Sequence, residues 1–375
     1  MIKNRNYIIL ILIIFVFFSC NKPKESINVC NVSGNISGFL EGKIVLYRLL
    51  DNNLLAIDSS FVIQNKFNFK NLNITEPEVY YFICGDNIAL LECFLEPGDI
   101  QLNADVRAEK KLTVLGSKSQ NEYSSFLENN SVYENKQKQL YQQKNTALQN
   151  ADTAMLSIID SSLLSIFDEQ ILFMKEYVKA NKNSVIALYV TAGSLKNFIG
   201  LEELKSISSS FSKSLHQSIY FSQILQDIQI KERIEVGLQA PDFSLPDIKG
   251  KIVSLSSFQG KYVLLDFSAS WQENTKIRNL YLKNIYKKYR NFDFDIFTVS
   301  MEYNKNIWFK EMRTQEIDWI QTSDMKGTNS EIFRLFGISN LPSTFLLDKK
   351  GIIIAKNLSK TDLESQLKKI FYEEN

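Results

Sequence analysis

Thiols are sparse in this chain and do most to bound its chemistry. Cys20, Cys30, Cys84 and Cys93 are the four cysteines, and none follows Cys93. They could serve as nucleophiles, metal ligands or disulfide partners. Cys84 and Cys93 lie in two apolar runs on either side of Gly85-Asp86-Asn87. A tight turn centred on Asp86-Asn87 sets Cys84 opposite Ala89 and Cys93 opposite Tyr80, about four residue rows apart. At the normal strand rise that is roughly 13 Å, beyond the reach of a disulfide. Buried free thiols are the expectation there. His216 is the only histidine and stands in a Ser-rich stretch of helical character, as a surface or cap residue. No spacing of His, Cys and carboxylates matches a zinc site, so neither a metal nor a cofactor is expected. Glu273 could be imagined as a general acid or base, but the dipole of the helix that follows explains a lone carboxylate there.

These residues must be positioned by a chain of 375 residues, long enough for two or three domains. With 43 basic and 42 acidic side chains the formal charge is +1, which gives no indication of a nucleic-acid partner. The first residues read as a targeting signal. Lys3 and Arg5 precede an uninterrupted apolar run from Tyr7 to Phe18, too short for a comfortable membrane span. The run ends Phe17-Phe18-Ser19-Cys20, which looks like a bacterial lipobox. A signal peptide over 1–19 is therefore expected, with Cys20 as the lipidated mature N-terminus and 20–26 as a polar tether. The alternatives are an ordinary secretory signal or a membrane anchor with a chance cysteine. Lipid anchorage places the body in the cell envelope facing the periplasm, where disulfides persist. It also leaves three cysteines, so at least one thiol has no partner within the chain.

From 27 to 117 short apolar or alternating runs are separated by Gly, Asn, Asp and Pro. They are Val29–Ile36, Lys43–Leu49, Leu55–Val62, Lys66–Phe69, Val79–Cys84, Ala89–Leu95 and Ile100–Ala104, the spacing of an antiparallel β-sandwich or small barrel. Glu96-Pro97-Gly98-Asp99 is a turn by its chemistry. From 118 to 235 the pattern becomes helical. Leu163, Phe167, Ile171, Met174 and Val178 form one stripe, Val185, Leu188 and Tyr189 begin another, and Leu201–Phe221 reads as a further helix. Asn135–Asn150 reads as a solvated helix face. This part reads as a linker layer without a motif.

The last part, 236–375, holds a near-continuous apolar run, Tyr262–Ser268, that ends in small residues before an amphipathic segment. It reads as a buried strand feeding a helix, with Ile277, Leu280, Tyr281, Ile285 and Tyr289 on one side of that helix. A second parallel strand follows at Phe294–Ser300, and Thr361 with Glu364 suggests a capping box for the final helix. Several motifs occur in order: Val236-Gly237-Leu238-Gln239-Ala240-Pro241-Asp242-Phe243, Lys249-Gly250-Lys251, Trp271 at the strand end, Ser323-Asp324-Met325-Lys326-Gly327, and Leu341-Pro342-Ser343-Thr344-Phe345. Together they resemble the thioredoxin superfamily, in its envelope thiol-disulfide reductase and peroxiredoxin-related branch, over about 236–372. The β segment resembles the domain of unknown function that precedes such domains in Bacteroidetes envelope lipoproteins. The expected fold class is multidomain α+β: an N-terminal antiparallel β-sandwich, a helical linker layer and a C-terminal α/β thioredoxin-like domain.

The resemblance implies a Trp-Cys-x-x-Cys motif at the strand end, where this chain has Trp271-Gln272-Glu273-Asn274-Thr275. Gln272 and Thr275 stand at the cysteine positions. An amide is no nucleophile, and a threonine hydroxyl ionises far above neutral pH and forms no disulfide, whereas exchange needs a thiolate at both steps. The aromatic usual at Ser268 is also absent. What the family's binding apparatus implies here is Trp271 beside the site and a cis bond at Leu341-Pro342, with Ser343 following, whose exposed backbone pairs with an extended peptide. Pro342 could equally serve only to shape the fold. Asp266 matches the family's buried acid, or is simply a hydrogen-bonded strand carboxylate. Two functions follow. In the first, a lipid-anchored domain that has lost redox chemistry binds an envelope protein or extended peptide beside Pro342. In the second, a thiol-disulfide oxidoreductase works through a displaced thiol among Cys30, Cys84 and Cys93 or through a partner's thiols.

Overall fold

The computed structural model describes residues 29–50, 53–85, 89–107, 111–272 and 275–373. The expected signal peptide and tether, Cys20 and Glu273 therefore lie outside the described residues. The chain divides into two compact units, Met1–Asn121 and Glu122–Asn375.

In the first unit eight strands join in one hydrogen-bonded series: β1 (Val29–Ser37), β2 (Glu41–Leu50), β3 (Asn53–Ile63), β4 (Lys66–Asn73), β5 (Glu78–Cys84), β6 (Ala89–Leu95), β7 (Gly98–Asp105) and β8 (Lys111–Leu115). Their order is β6-β5-β2-β3-β4-β1-β7-β8. Every pairing is antiparallel except β1 with β7. Strands β3 and β4 share a single register pair, Ile63 with Lys66, so the series can fold over at that corner. Rings on non-adjacent strands meet as a result: Phe69 of β4 lies 5.7 Å from Phe82 of β5. The alternating apolar residues of both halves thus enclose one core, which includes Cys30, Cys84 and Cys93. Strand β8, which the run of short apolar segments did not suggest, closes the series on β7.

A helical layer starts at the end of the first unit and makes up the first part of the second: α1 (Lys118–Gln149), α2 (Thr153–Ala180), α3 (Val185–Gly193), α4 (Leu201–Ser210) and α5 (Ile219–Arg233). Asp152 and Ser184 start α2 and α3 by accepting bonds from the first free N–H groups. Leu163, Met174 and Val178 are buried as their spacing predicts. The single helix expected over Leu201–Phe221 is instead two. Helix α4 ends at Ser210, and Ser218 opens a new helix by capping the N–H of Tyr220. Serines compete for backbone bonds, and the Ser-rich join between these helices lets them do so.

The thioredoxin-like part follows a short β9 (Ser244–Pro246) and β10 (Ile252–Ser254) with β11 (Tyr262–Ser268), α6 (Thr275–Tyr289), β12 (Phe294–Ser300), α7 (Lys305–Thr314), β13 (Ile320–Thr322), α8 (Glu331–Leu335), β14 (Ser343–Leu347), β15 (Ile353–Lys356) and α9 (Lys360–Lys368). Five strands form a sheet in the order β13-β12-β11-β14-β15. Strand β11 runs parallel to β12 and antiparallel to β14. Apart from Asp266 and Ser268 it is apolar, because both its faces are covered. Val263, Leu265 and Phe267 join one core with Phe297, Phe336 and Phe345, while Leu264 joins the other with Leu282, Ile285 and Leu367.

Two local expectations are corrected. Helix α6 buries Thr275, Asn279, Leu282, Ile285 and Tyr289, whereas Ile277 and Leu280 face solvent. The inward stripe is rotated because polar Asn279 is held inside by an Oε1 of Gln315 at 2.6 Å. Helix α9 is capped by Ser359, which accepts from the Asp362 N–H, not by Thr361. The serine lies two residues earlier, and its hydroxyl also donates to the Asp362 carboxylate at 2.6 Å.

Candidate functional site: the turn after the central strand

The register of β11 and β14 creates the site. Phe267 pairs with Ser343, so the residues leaving β11 meet those entering β14. The Ser268–Gln272 turn therefore lies beside Leu341 and Pro342, whose peptide bond is cis. Gln272 donates its side-chain amide to the Leu341 carbonyl at 3.2 Å. Thr275, the first residue of α6, is buried and donates its hydroxyl to the Ala269 carbonyl at 2.8 Å. Both side chains are thus engaged with backbone carbonyls of the turn and the ledge. The Leu341 N–H has no hydrogen-bond acceptor among the described residues.

Trp271 is 57% exposed, yet its indole N–H is fixed on the Met301 carbonyl at 2.9 Å. The ring is held beside the turn with its face open to solvent. Pro342 is exposed and Ser343 half-buried. Asn357 fixes this edge, accepting the Ser343 hydroxyl at 2.9 Å and the Thr344 N–H at 2.8 Å on its side-chain oxygen.

Asp266 points to the α6 side of β11 and is 1% exposed. It pairs with Arg278, one turn into α6, and accepts the Thr298 hydroxyl at 3.1 Å. Trp319 donates to that same hydroxyl at 2.9 Å. A buried carboxylate needs such partners, and Arg278 is one that the family motifs did not suggest. Its place three residues after Thr275 on an amphipathic helix was the available signal.

A second buried carboxylate was also missed. Glu302 stands two residues past the end of β12 and is 2% exposed. It accepts the Ser270 N–H at 2.7 Å, the Ser270 hydroxyl at 2.9 Å and the Ser300 hydroxyl at 2.6 Å. Glu302 thereby holds the turn that carries Trp271 and Gln272. Its position at the carboxyl end of a parallel strand, where α/β sheets place their sites, could have marked it.

The thiols lie elsewhere. Cys30, Cys84 and Cys93 are free and buried, with Cys84 opposite Ala89 and Cys93 opposite Tyr80, as a tight turn requires. Burial, with help from nearby Asp99 and Glu96, pushes Cys30 up to about 11. Burial alone pushes Cys84 up to about 11, and Cys93 is raised further. His216 stacks on Phe221 at 4.2 Å. Among the described residues no group of three or more His, Cys, Asp or Glu side chains is placed to hold a metal ion.

A central strand feeding a helix, an antiparallel neighbour entered through a cis-proline and helices on both faces of the sheet define a thioredoxin-like protein. Residues 236–356 match the AhpC/TSA family, and residues 30–123 match a domain of unknown function, DUF4369. The thiol-disulfide oxidoreductase ResA of Bacillus subtilis (strain 168) is 31% identical over 137 residues, 36% of this chain and 74% of that protein. ResA of Bacillus cereus is 29% identical over 167 residues, 44% of this chain and 90% of the relative. Among solved structures, the C-terminal domain of a putative thiol-disulfide oxidoreductase from Bacteroides thetaiotaomicron is 35% identical and covers 38% of this chain and 99% of its own, with a TM-score of 0.36. The chain belongs to the thioredoxin-like thiol-disulfide oxidoreductase family.

Proposed function

We propose that this is a lipid-anchored envelope protein whose thioredoxin-like domain has given up thiol exchange and binds an extended segment of a partner protein at the Leu341–Ser343 ledge. One observation carries this reading. At the two positions where the family resemblance calls for cysteines, Gln272 and Thr275 each donate to a backbone carbonyl, of Leu341 and Ala269. Neither side chain can form or break a bond to sulfur. A displaced thiol would have to be one of the buried cysteines, and desolvation disfavours the thiolate that attack requires. The recognition surface remains: an exposed, fixed Trp271 ring and a Leu341 N–H free to donate to a partner's backbone carbonyl. The anchor is the lipid on Cys20. No helix among the described residues is long and apolar enough to cross a membrane.

Site-specific photo-crosslinking in the intact envelope tests the binding claim. A photoreactive residue replacing Trp271 or Ser343 is expected to give adducts of one shared mass, while the same residue at exposed Leu172 gives none of that mass. Adducts equally abundant from all three positions, or absent from the first two, would overturn it.

A further inference from the structure

A groove of about 540 Å³ opens beside the ledge, and one of its walls is not part of the thioredoxin-like sheet. Pro342, Ser343 and Asn357 line it, together with Lys231 at the end of α5. The charges along it are uneven. Lys196 is paired with Asp227 at 2.6 Å and Lys356 with Glu235 at 2.7 Å. Lys231 and Arg334 also line the groove but make no ion pair among the described residues. Lys231 reaches only the Ile199 carbonyl, at 3.4 Å. Its burial, reinforced by the charges of Lys356 and Lys196, pushes its ammonium group below the usual lysine range, while the carboxylates of Asp227 and Glu235 pull the other way. A half-buried ammonium held by one long hydrogen bond is a group still short of an acceptor.

We infer that the α5 wall gives this groove selectivity for acidic extended segments: a partner strand running past Leu341 and Pro342 places a Glu or Asp carboxylate against Lys231, with Arg334 as the neighbouring cation. The inference rests on the ledge being the binding site. It goes beyond that reading because selectivity comes from the helical layer, which the family match over 236–356 does not include. Backbone pairing at the ledge is blind to side chains, whereas the charge opposite Lys231 is not.

The test uses the full chain in detergent and two synthetic ten-residue probes, one alternating Val and Glu and the other alternating Val and Gln, each with a central benzophenone. The Glu probe is expected to bind about tenfold more tightly than the Gln probe at low salt, with the gap closing as salt rises. Lys231→Gln should remove the preference and leave the affinity for the Gln probe unchanged, while Lys231→Arg should keep it. Crosslinks of the Glu probe should map to both the ledge and α5. Equal binding of the two probes with crosslinks at the ledge overturns the acidic selectivity and leaves the binding site standing. Crosslinks only elsewhere, or no binding of either probe, overturn both. Displacement of the Glu probe by an equimolar amount of glutarate would show a small-carboxylate site and overturn the extended-segment claim.

Discussion

In the β-rich unit, Cys30, Cys84 and Cys93 are packed among aliphatic and aromatic side chains, and burial works against their ionisation. In the thioredoxin-like part, the end of β11, the start of α6 and the Leu341–Pro342 ledge form the kind of turn where a thiol would be activated, and there an amide and a hydroxyl stand instead. One region buries its sulfur; the other carries an amide and a hydroxyl where the family resemblance calls for cysteines. On the proposed reading, the fold has kept its site while giving up its chemistry. The turn is still held in place by Glu302 and supported below by Asp266 and Arg278, so its geometry does not depend on the cysteines.

The comparison can be broken most sharply at the thiols. With Cys30 and Cys84 raised to about 11, their thiolate fraction at pH 8 is about a hundredfold below that of an ordinary exposed cysteine. Alkylation of the native protein by iodoacetamide should be slower than that of the urea-unfolded protein by at least that factor, and should quicken as pH rises toward 11. A thiol that reacts at the unfolded rate would mean that one of the three is poised for exchange. The next effect is on stability. Glu302→Ala strands three donors in a buried site and should cost about 2–4 kcal/mol in urea unfolding. A loss under about 0.5 kcal/mol would mean that the turn is held by other contacts. The smallest effect is at Gln272. Removing its amide with Gln272→Ala frees the Leu341 carbonyl for a partner's N–H. The affinity for the alternating Val/Glu probe should then rise about two- to tenfold, and a fall would make Gln272 a binding contact in its own right.

Much of this was legible from the residues. The continuous run Tyr262–Ser268 announced a strand covered on both faces, and the ordered motifs from Val236 to Phe345 fixed the family. The tight turn after Cys84 put Cys84 and Cys93 too far apart to pair, and the register agrees. What was not legible depended on contacts between elements distant in sequence. The inward face of α6 could not be read from apolar spacing because Asn279 is buried by a bond to Gln315, 36 residues away. Glu302 looks like any loop carboxylate until the Ser270 turn is brought against it. Lys231 looks like an ordinary last-turn lysine of a helix until α5 and the ledge line the same groove. The end of α4 and the start of α9 were missed for a local reason: serines compete for backbone bonds, and their capping power exceeds the resolution of an apolar pattern.

The most direct measurement is disulfide-reduction turnover of the full chain with a dithiol reductant, alongside the double variant Gln272→Cys, Thr275→Cys. The native protein is expected to be indistinguishable from reductant alone. The double variant, with one thiol in the turn just before α6 and a second at the first residue of α6, should gain at least about a hundredfold. Turnover by the native chain would contradict loss of the redox function. Replacing Cys30, Cys84 and Cys93 one at a time would then identify the thiol responsible.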